Sequence, residues 1–504
     1  MGLIGGLGFC DFGGRDLGRG GECWVVERGE AEAIYDAGRE AAVDALVLLA
    51  GQVEGLLGAN RALTARVERL EEQARRSSRN SSLPPSSDPP GAAGGLAKNG
   101  SGRQPGGQPG HPGQARLLVG PERVDELVEH WPKRCLACGG QFCDEVSEAG
   151  KPVRHQVSEL PALAVTLTEH RLHARRCRCG ATTRATLPAG VSGSCFGPRL
   201  QAAVASLCAR QRLSRRQTVE LLKELFGCPV SVGTVDAILG RVGQALAEPY
   251  AELRAVLPTE PVVYADETGW ALAGRRRWLW GGFTPTLAVF ALSSSRGQQA
   301  ASELLGAKPA GIVCTDRWSG YNHLPLEQRQ TCWAHLARDF QALTERQLPA
   351  DQRLGHALSR NAARVFNAYD DYRQHQDATR LAAELQPAQQ QMRQLLEPVA
   401  RGRRQHTTAF ANNLLKRWPS LWTFTTHPQL VEPTNNRAER GLRPAVIKRK
   451  LSFGNNSEHG LRTSERLLSA EGSCRLQHRS FYNYLSELLT AQQHNEPLPS
   501  LLPA

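Results

Sequence analysis

The chain has 504 residues, and its 61 Lys and Arg against 49 Asp and Glu leave a net charge of +12. That length implies several domains, and the basic balance favours a polyanionic partner bound through counterion release. Its 13 cysteines, an odd number with several inside predicted helices or strands, argue against a disulfide framework and for a reducing compartment. The start lacks the pattern of a secretory leader, and no apolar run reaches the roughly 18 residues of a bilayer span, so no membrane association is expected.

Residues 1–40 are glycine-rich and expected to be disordered; an over-extended reading frame would look the same. Over 41–76 a heptad pattern appears. Leu49, Leu56, Leu63 and Leu70 form one seam, and Leu46, Val53, Asn60 and Val67 the other. A polar Asn at an a position tends to fix the register of a two-stranded coil, so a coiled-coil helix and a homo-oligomer, dimer or higher, are expected. Gly51, Gly55 and Gly58 weaken this helix by roughly 1 kcal/mol each relative to Ala. The plainer alternative is an amphipathic helix packed on the body. Residues 77–114 collapse into Ser, Pro, Gly and Asn and read as a linker.

Residues 115–190 carry a cysteine module. Cys135 and Cys138 have knuckle spacing, and Cys177 and Cys179 follow some forty residues later. Four thiolates from two knuckles would close a tetrahedral structural zinc site. The second pair is Cys-x-Cys, which leaves Cys143, His170 or His173 as substitute ligands and vestigial, reduced cysteines as the alternative. Val153–His173 shows β-like alternation.

The segment 197–256 reads as all-helical. One amphipathic stretch covers Arg199–Gln211. Ser214 would cap a helix over Arg215–Phe226, ended by Gly227 and Pro229, and Ser231 one over Val232–Leu246. Two short helices so joined have a helix-turn-helix layout, with Arg215 and Arg216 at its first corner as DNA-binding candidates. A generic helical connector is the alternative.

From 260 to 345 three consecutive strands are predicted, Val262–Ala265, Trp278–Phe283 and Leu287–Leu292, with turns at Arg275–Arg277 and Thr284–Thr286. A helix over Gln298–Leu305, a fourth strand over Gly311–Thr315, a fifth over Gln330–Trp333 and a helix over Ala334–Leu343 follow. That order fits an RNase H-like core with its first and fourth strands side by side. A helical insertion occupies 346–432, and 433–495 supplies the rest of the core with a final helix over Ser480–Gln493. The expected class is multidomain α+β/α/β: an RNase H-like catalytic core with a helical insertion, preceded by a coiled-coil helix, a zinc-knuckle module and a helix-turn-helix-like domain.

Three acids stand in telling settings. Asp266 and Asp316 close β-rich runs, and Glu439 sits in Thr434-Asn-Asn-Arg-Ala-Glu-Arg-Gly-Leu-Arg-Pro444, the start of a helix. Converging carboxylates suit hard divalent cations, Mg2+ or Mn2+, and a metal pair can steady the attacking and leaving oxygens of a phosphodiester. On that helix Asn435 and Arg443 lie a turn either side of Glu439, with Asn436 and Arg440 in the neighbouring row; Arg and Asn there suit phosphate. Taken singly, each acid has a plain alternative: a lone strand-end aspartate, or a surface salt bridge from Glu439 to Arg440 or Arg443. Cys332-Trp-Ala-His335 reads as structural, with His335 near the site and Arg338 facing substrate. No P-loop is present, so no ATP motor is implied.

These blocks, with Arg79–Asp88, Cys135–Cys138, Ala265–Thr268, Thr315–Asp316, Gly320–Asn322 and Cys332–His335, resemble bacterial transposases of the insertion sequence 66 family. The resemblance implies that Asp266, Asp316 and Glu439 are a DDE triad and that DNA is the substrate, both as terminal inverted repeats and as target. It also implies strand cleavage followed by strand transfer, accessory element-encoded proteins, and a bacterial cytoplasmic, nucleoid-associated location. The rival expectations are a domesticated DNA-binding protein without catalysis and an RNase H-like nuclease without strand transfer.

Overall fold

In the computed structural model the described residues are 28–75, 117–142, 150–188, 190–191 and 193–503. The expected glycine-rich start up to residue 27, the linker 77–114 and Cys143 lie outside them. The chain divides into two units, Met1–Ser87 and Asp88–Ala504.

In the first unit, α1 (Arg28–Asp36) is followed by α2 (Arg39–Arg75). Gly38 between them takes φ 106°, a conformation that side-chain-bearing residues rarely adopt. The expectation of disorder through residue 40 is therefore corrected: Glu and Ala dominate from Arg28 onward and favour helix. Both heptad seams of α2 are exposed, including Leu46, Val53, Leu56, Leu63, Val67 and Leu70. By length and composition the stretch Arg39–Glu68 is apolar enough to cross a membrane, with mean hydropathy 1.5. Core helices of soluble proteins pass the same test, and Leu, Val and Ala spaced between Asp44, Glu54 and Arg61 average high without forming an uninterrupted apolar run.

In the second unit none of the described residues from 117 to 188 is buried. Its regular structure is a turn of 3-10 helix at Pro121–Arg123 and a small antiparallel hairpin, β1 (Ala174–Arg176) with β2 (Thr182–Arg184). The β-like alternation of Val153–His173 does not become a strand. Val153, Val157, Leu160 and Leu167 stay exposed, and alternation yields a strand only where a partner strand and a face to bury exist.

Four helices follow: α3 (Pro198–Ala209), α4 (Arg215–Phe226), α5 (Val232–Ala245) and α6 (Ala247–Val256). Ser214 and Gln217 close a reciprocal capping box on α4, Gly227 ends it at φ 59°, and the Ser231 side chain caps α5 by accepting from the Thr234 amide.

The sheet is built from β3 (Val262–Leu272), β4 (Arg275–Phe283), β5 (Ala288–Ser293), β6 (Ile312–Thr315) and β7 (Arg329–Thr331), with α7 (Gln298–Leu305) between β5 and β6. Its order is β5-β4-β3-β6-β7; β4 pairs antiparallel with both β3 and β5, β6 pairs parallel with β3, and β7 pairs parallel with β6. The first and fourth strands thus lie side by side, as expected. The Arg275–Arg277 turn is corrected. These arginines lie in β4, and the turn is Ala273–Gly274 with φ 47° and 75°, the two positive values a tight hairpin requires.

After β7 come α8 (Trp333–Thr344), α9 (Pro349–His375), α10 (Ala378–Ala400), α11 (Gln405–Lys416), α12 (Trp418–Leu421) and α13 (Thr423–Thr426). The chain ends through α14 (Asn436–Ser452), α15 (Glu458–Leu476) and α16 (Phe481–His494). The period-2 alternation of β3 sorts the two helical layers. Val262 and Tyr264 join one core with Trp333, Phe340 and Leu442 and the helices α9 to α11. Val263 and Ala265 join the other with α3, α5, α7 and α16. The helices of the expected insertion therefore share a core with the sheet.

The edge strand β5 is covered by α15. The backbone amides of Ala288, Phe290 and Leu292 donate to Ser473 Oγ at 3.0 Å, Ser469 Oγ at 2.9 Å and Glu465 Oε1 at 2.5 Å. Every fourth helical residue advances about 6 Å and every second strand residue about 6.8 Å, so the two ladders match. An edge that would otherwise recruit another strand is closed within the chain.

Candidate active site

Asp266 lies within β3, not at its end, on the face it shares with Val262 and Tyr264; Glu267 faces the other layer. Opposite Asp266 in the register stands Gly281 of β4. A Cβ there would come within 2.6 Å of Phe283 and 3.1 Å of Leu442. Asp316 follows β6 directly. One oxygen of each aspartate is held by a nearby amide: Glu267 N donates to Asp266 Oδ1 at 2.9 Å, and Trp318 N donates to Asp316 Oδ1 at 2.8 Å.

Glu439 is delivered by the segment leading into α14. Tyr264 Oη accepts from Glu432 N at 3.1 Å, and Trp333 N donates to Pro433 O at 2.9 Å. Asn435 N donates to Cys332 Sγ at 3.1 Å, and its Nδ2 to Ala265 O at 2.8 Å. Asn435, expected at phosphate, is thus wholly buried and ties α14 to β3 beside Asp266. Its Oδ1 is buried with no partner. Gly441 lets the helix lie close on β4, since a Cβ there would sit 2.4 Å from Phe283.

Burial pushes the Asp266 carboxyl well above the usual carboxylate range, and the negative charges of Glu267, Asp316 and Glu439 push it further. Asp316 and Glu439 thus both lie within electrostatic reach of Asp266. Glu439 lies 3.7 Å from Arg338 and 3.8 Å from His335, so its charge leans toward α8. Burial and Arg338 lower the His335 imidazole below its ordinary value, against the opposing pull of Asp316 and Glu439.

A supporting network on the opposite face had no sequence expectation. Glu267 pairs with Arg296 at 2.7 Å and accepts from Tyr321 Oη at 2.7 Å. The Arg296 guanidinium lies over Trp318 at 3.9 Å and Trp278 at 4.9 Å. The buried Arg329 donates to Thr315 Oγ1 at 2.9 Å, Tyr321 O at 3.2 Å and Asp316 O at 2.6 Å, clamping the backbone that carries Asp316. Strict strand alternation after Asp266 was the signal that could have turned Glu267 toward this network.

An all-carboxylate donor set in a partly desolvated pocket fits a hard divalent cation such as Mg2+ or Mn2+, which would relieve the repulsion on Asp266. Among the described residues no group of three or more His, Cys, Asp or Glu is gathered tightly enough to hold an ion. Glu439 leans toward Arg338 in this arrangement. Among the same residues the thiols form no such group either. Cys138 and backbone amides draw the Cys135 thiol below its ordinary value, and Cys179 does the same for Cys177, but the two pairs do not gather into one cluster.

Of the remaining expected contacts, Arg215 pairs with Asp236 at 2.5 Å and Arg216 is exposed. Asn436 and Arg440 line a cavity of about 390 Å3 against Tyr369, Asp370 and Arg373 of α9, and Arg443 is exposed. Cys332 is buried, in keeping with a structural role.

A mixed sheet packed between helical layers defines an α+β domain. Residues 193–463, more than half of the chain, match the model of the transposase IS66 family. The chain belongs to that family, and by family it has a transposase role, that of an enzyme acting on DNA. Residues 29–117 match a family of unknown function, DUF6444. The uncharacterized protein y4hP of Sinorhizobium fredii is 23% identical over 393 residues, 70% of this chain and 69% of that protein.

Proposed function

We propose that this chain is a metal-dependent DDE transposase with an RNase H-like core, cutting DNA at the ends of its element and joining the freed ends to target DNA. The observation that carries the reading is the electrostatic convergence of Asp316 and Glu439 on the desolvated Asp266 carboxyl. The strand order β5-β4-β3-β6-β7 and the seating of α14 beside β3 support it.

Asp266, Asp316 and Glu439 would hold Mg2+ or Mn2+, which when bound supplies a polarised oxygen nucleophile and stabilises the leaving oxygen. The chain's own residues orient and exclude. Arg329 and the Trp318 amide fix Asp316, Asn435 fixes the start of α14, and Arg338 holds Glu439 until a cation competes for it. Arg443 and Arg440 are available for phosphate.

Cys135, Cys138, Cys177 and Cys179 make a structural zinc site in this reading, α4 and α5 a helix-turn-helix, and α2 a coiled coil between copies. Terminal inverted repeats, target DNA and accessory element-encoded proteins are its partners, in a bacterial cytoplasm. A strand-transfer assay on end-containing DNA with Mg2+ or Mn2+ tests it. Asp316→Asn should lose more activity than the ~10–100-fold expected from a change in a ligand's supporting residue, while DNA binding is retained. Strand transfer unaffected by Asp316→Asn would remove the triad; cleavage products that never join a target would leave a nuclease.

A further inference from the structure

Away from the carboxylates, the second unit contains a groove of about 1080 Å3 walled by the start of α4 and by α5 on one side and by α14 and α15 on the other. Arg212, Arg216, Arg241, Lys448 and His459 line it, and its one acid among the described residues is Asp236, already paired with Arg215. Lys448 has no acidic partner among the described residues. Arg212 takes φ 61°, a strained value for a residue with a side chain, and its Nε is buried without a partner. Two helices open into the same space by their N-termini, α4 at Ser214 and α15 at Ser457, adding the positive ends of their dipoles. Half-buried Lys448 and Arg212, the latter with an unpartnered buried Nε, and two helix N-termini facing one cavity describe a built anion site.

We propose that this groove binds the phosphodiester backbone of DNA at a second position, distinct from the carboxylate site; the proposal rests on the reading that the chain acts on DNA. Lys448 follows Glu439 by about two and a half turns of α14, which puts it on the opposite flank of that helix. The groove therefore holds a separate stretch of DNA and does not extend the reacting site. It carries no Phe, Tyr or Trp, so bases are not stacked there and the contact is with phosphates, independent of sequence.

The test uses the full chain and fluorescence anisotropy of labelled duplexes of several sequences over a salt series. Arg212→Gln, Arg216→Gln and Lys448→Met should each weaken binding about tenfold, equally for every sequence, and lower the salt slope by about one. Lys308→Met, an equal charge loss at an exposed position outside the groove, should change neither. Arg216 is exposed, so its variant carries the test if the other two fail to fold. Unchanged affinity and slope in the folded groove variants overturn the proposal, as does a loss confined to one sequence. Inorganic phosphate distinguishes a pocket for a free anion. If phosphate raises the melting temperature of wild type but not of Lys448→Met, while DNA affinity stays the same in both, the groove is not a DNA site. If wild type binds no duplex at all, it is the transposase reading that fails.

Discussion

The five-stranded sheet and the cysteine-bearing stretch 117–188 belong to the same unit and are held in opposite ways. In the sheet each face of β3 meets its own apolar layer, Trp333, Phe340 and Leu442 on one side and Val235, Ile238 and Leu485 on the other. Across 117–188 no described residue is buried, and Leu117, Trp131, Leu136 and Val153 face solvent. Apolar burial alone can order the first region. The second has two cysteine pairs, Cys135 with Cys138 and Cys177 with Cys179, and no buried residue among those described. Helix α2 resembles the second case, with its seams uncovered. The region with a core of its own holds the chemistry in place; the other two leave their apolar side chains exposed.

The largest effect should sharpen that contrast. If zinc orders the cysteine segment, binding of the order of 10 kcal/mol is lost in Cys138→Ser. Limited proteolysis should then cut 117–188 quickly, while the melting of the sheet stays where it was. One zinc per chain by elemental analysis is expected in wild type; none in freshly purified protein would break the comparison on its metal side. Next, Leu56→Pro or Leu63→Pro should cost α2 about 3 kcal/mol and halve the mass seen by light scattering. An unchanged mass would mean that α2 is not covered by a second copy.

Gly441→Ala forces a Cβ against Phe283 and should cost about 1–3 kcal/mol with a loss of activity, because α14 and Glu439 move off the sheet. The same substitution at Gly139, which has open space around it, should leave the melting of the sheet alone. The smallest effect is in pH. Because the folded carboxyl of Asp266 sits above its ordinary value of 3.8, the folded state binds more protons than the unfolded one over that interval. The metal-free protein should lose stability as pH rises from about 4 through the folded value, and Asp266→Asn should flatten that fall. Thermal melts of the two proteins that diverge on acidification instead of at neutral pH would contradict the cause assigned here.

Much of this was legible in sequence, and unevenly. Ser214, Gly227 and Ser231 marked α4 and α5 because caps are local chemistry between neighbours in the chain. Asp266, Asp316 and Glu439 were singled out from their local settings. The length of β3 and β4 was not legible, because residues beyond Ala265 are held in strand by pairing with Arg275 to Gly281. Asn435 looked like a phosphate ligand because it lies a turn before Glu439 on the helix that carries Arg443; its burial against Ala265 depends on a strand 170 positions away. Glu267, Arg296, Tyr321 and Arg329 were missed for the same reason, and so were Glu465, Ser469 and Ser473 along β5.

By itself the sequence determined the caps, the periodicities, the charge and the three acids, since each depends on residue type and on neighbours within a turn or two of chain. Tertiary structure decided which carboxylates share one electrostatic neighbourhood, which polar side chains serve the fold instead of the substrate, and where cations line an uncovered groove. Those outcomes turn on strand pairing and helix seating between residues far apart in the chain, where burial and close approach set the energies and spacing along the polypeptide does not.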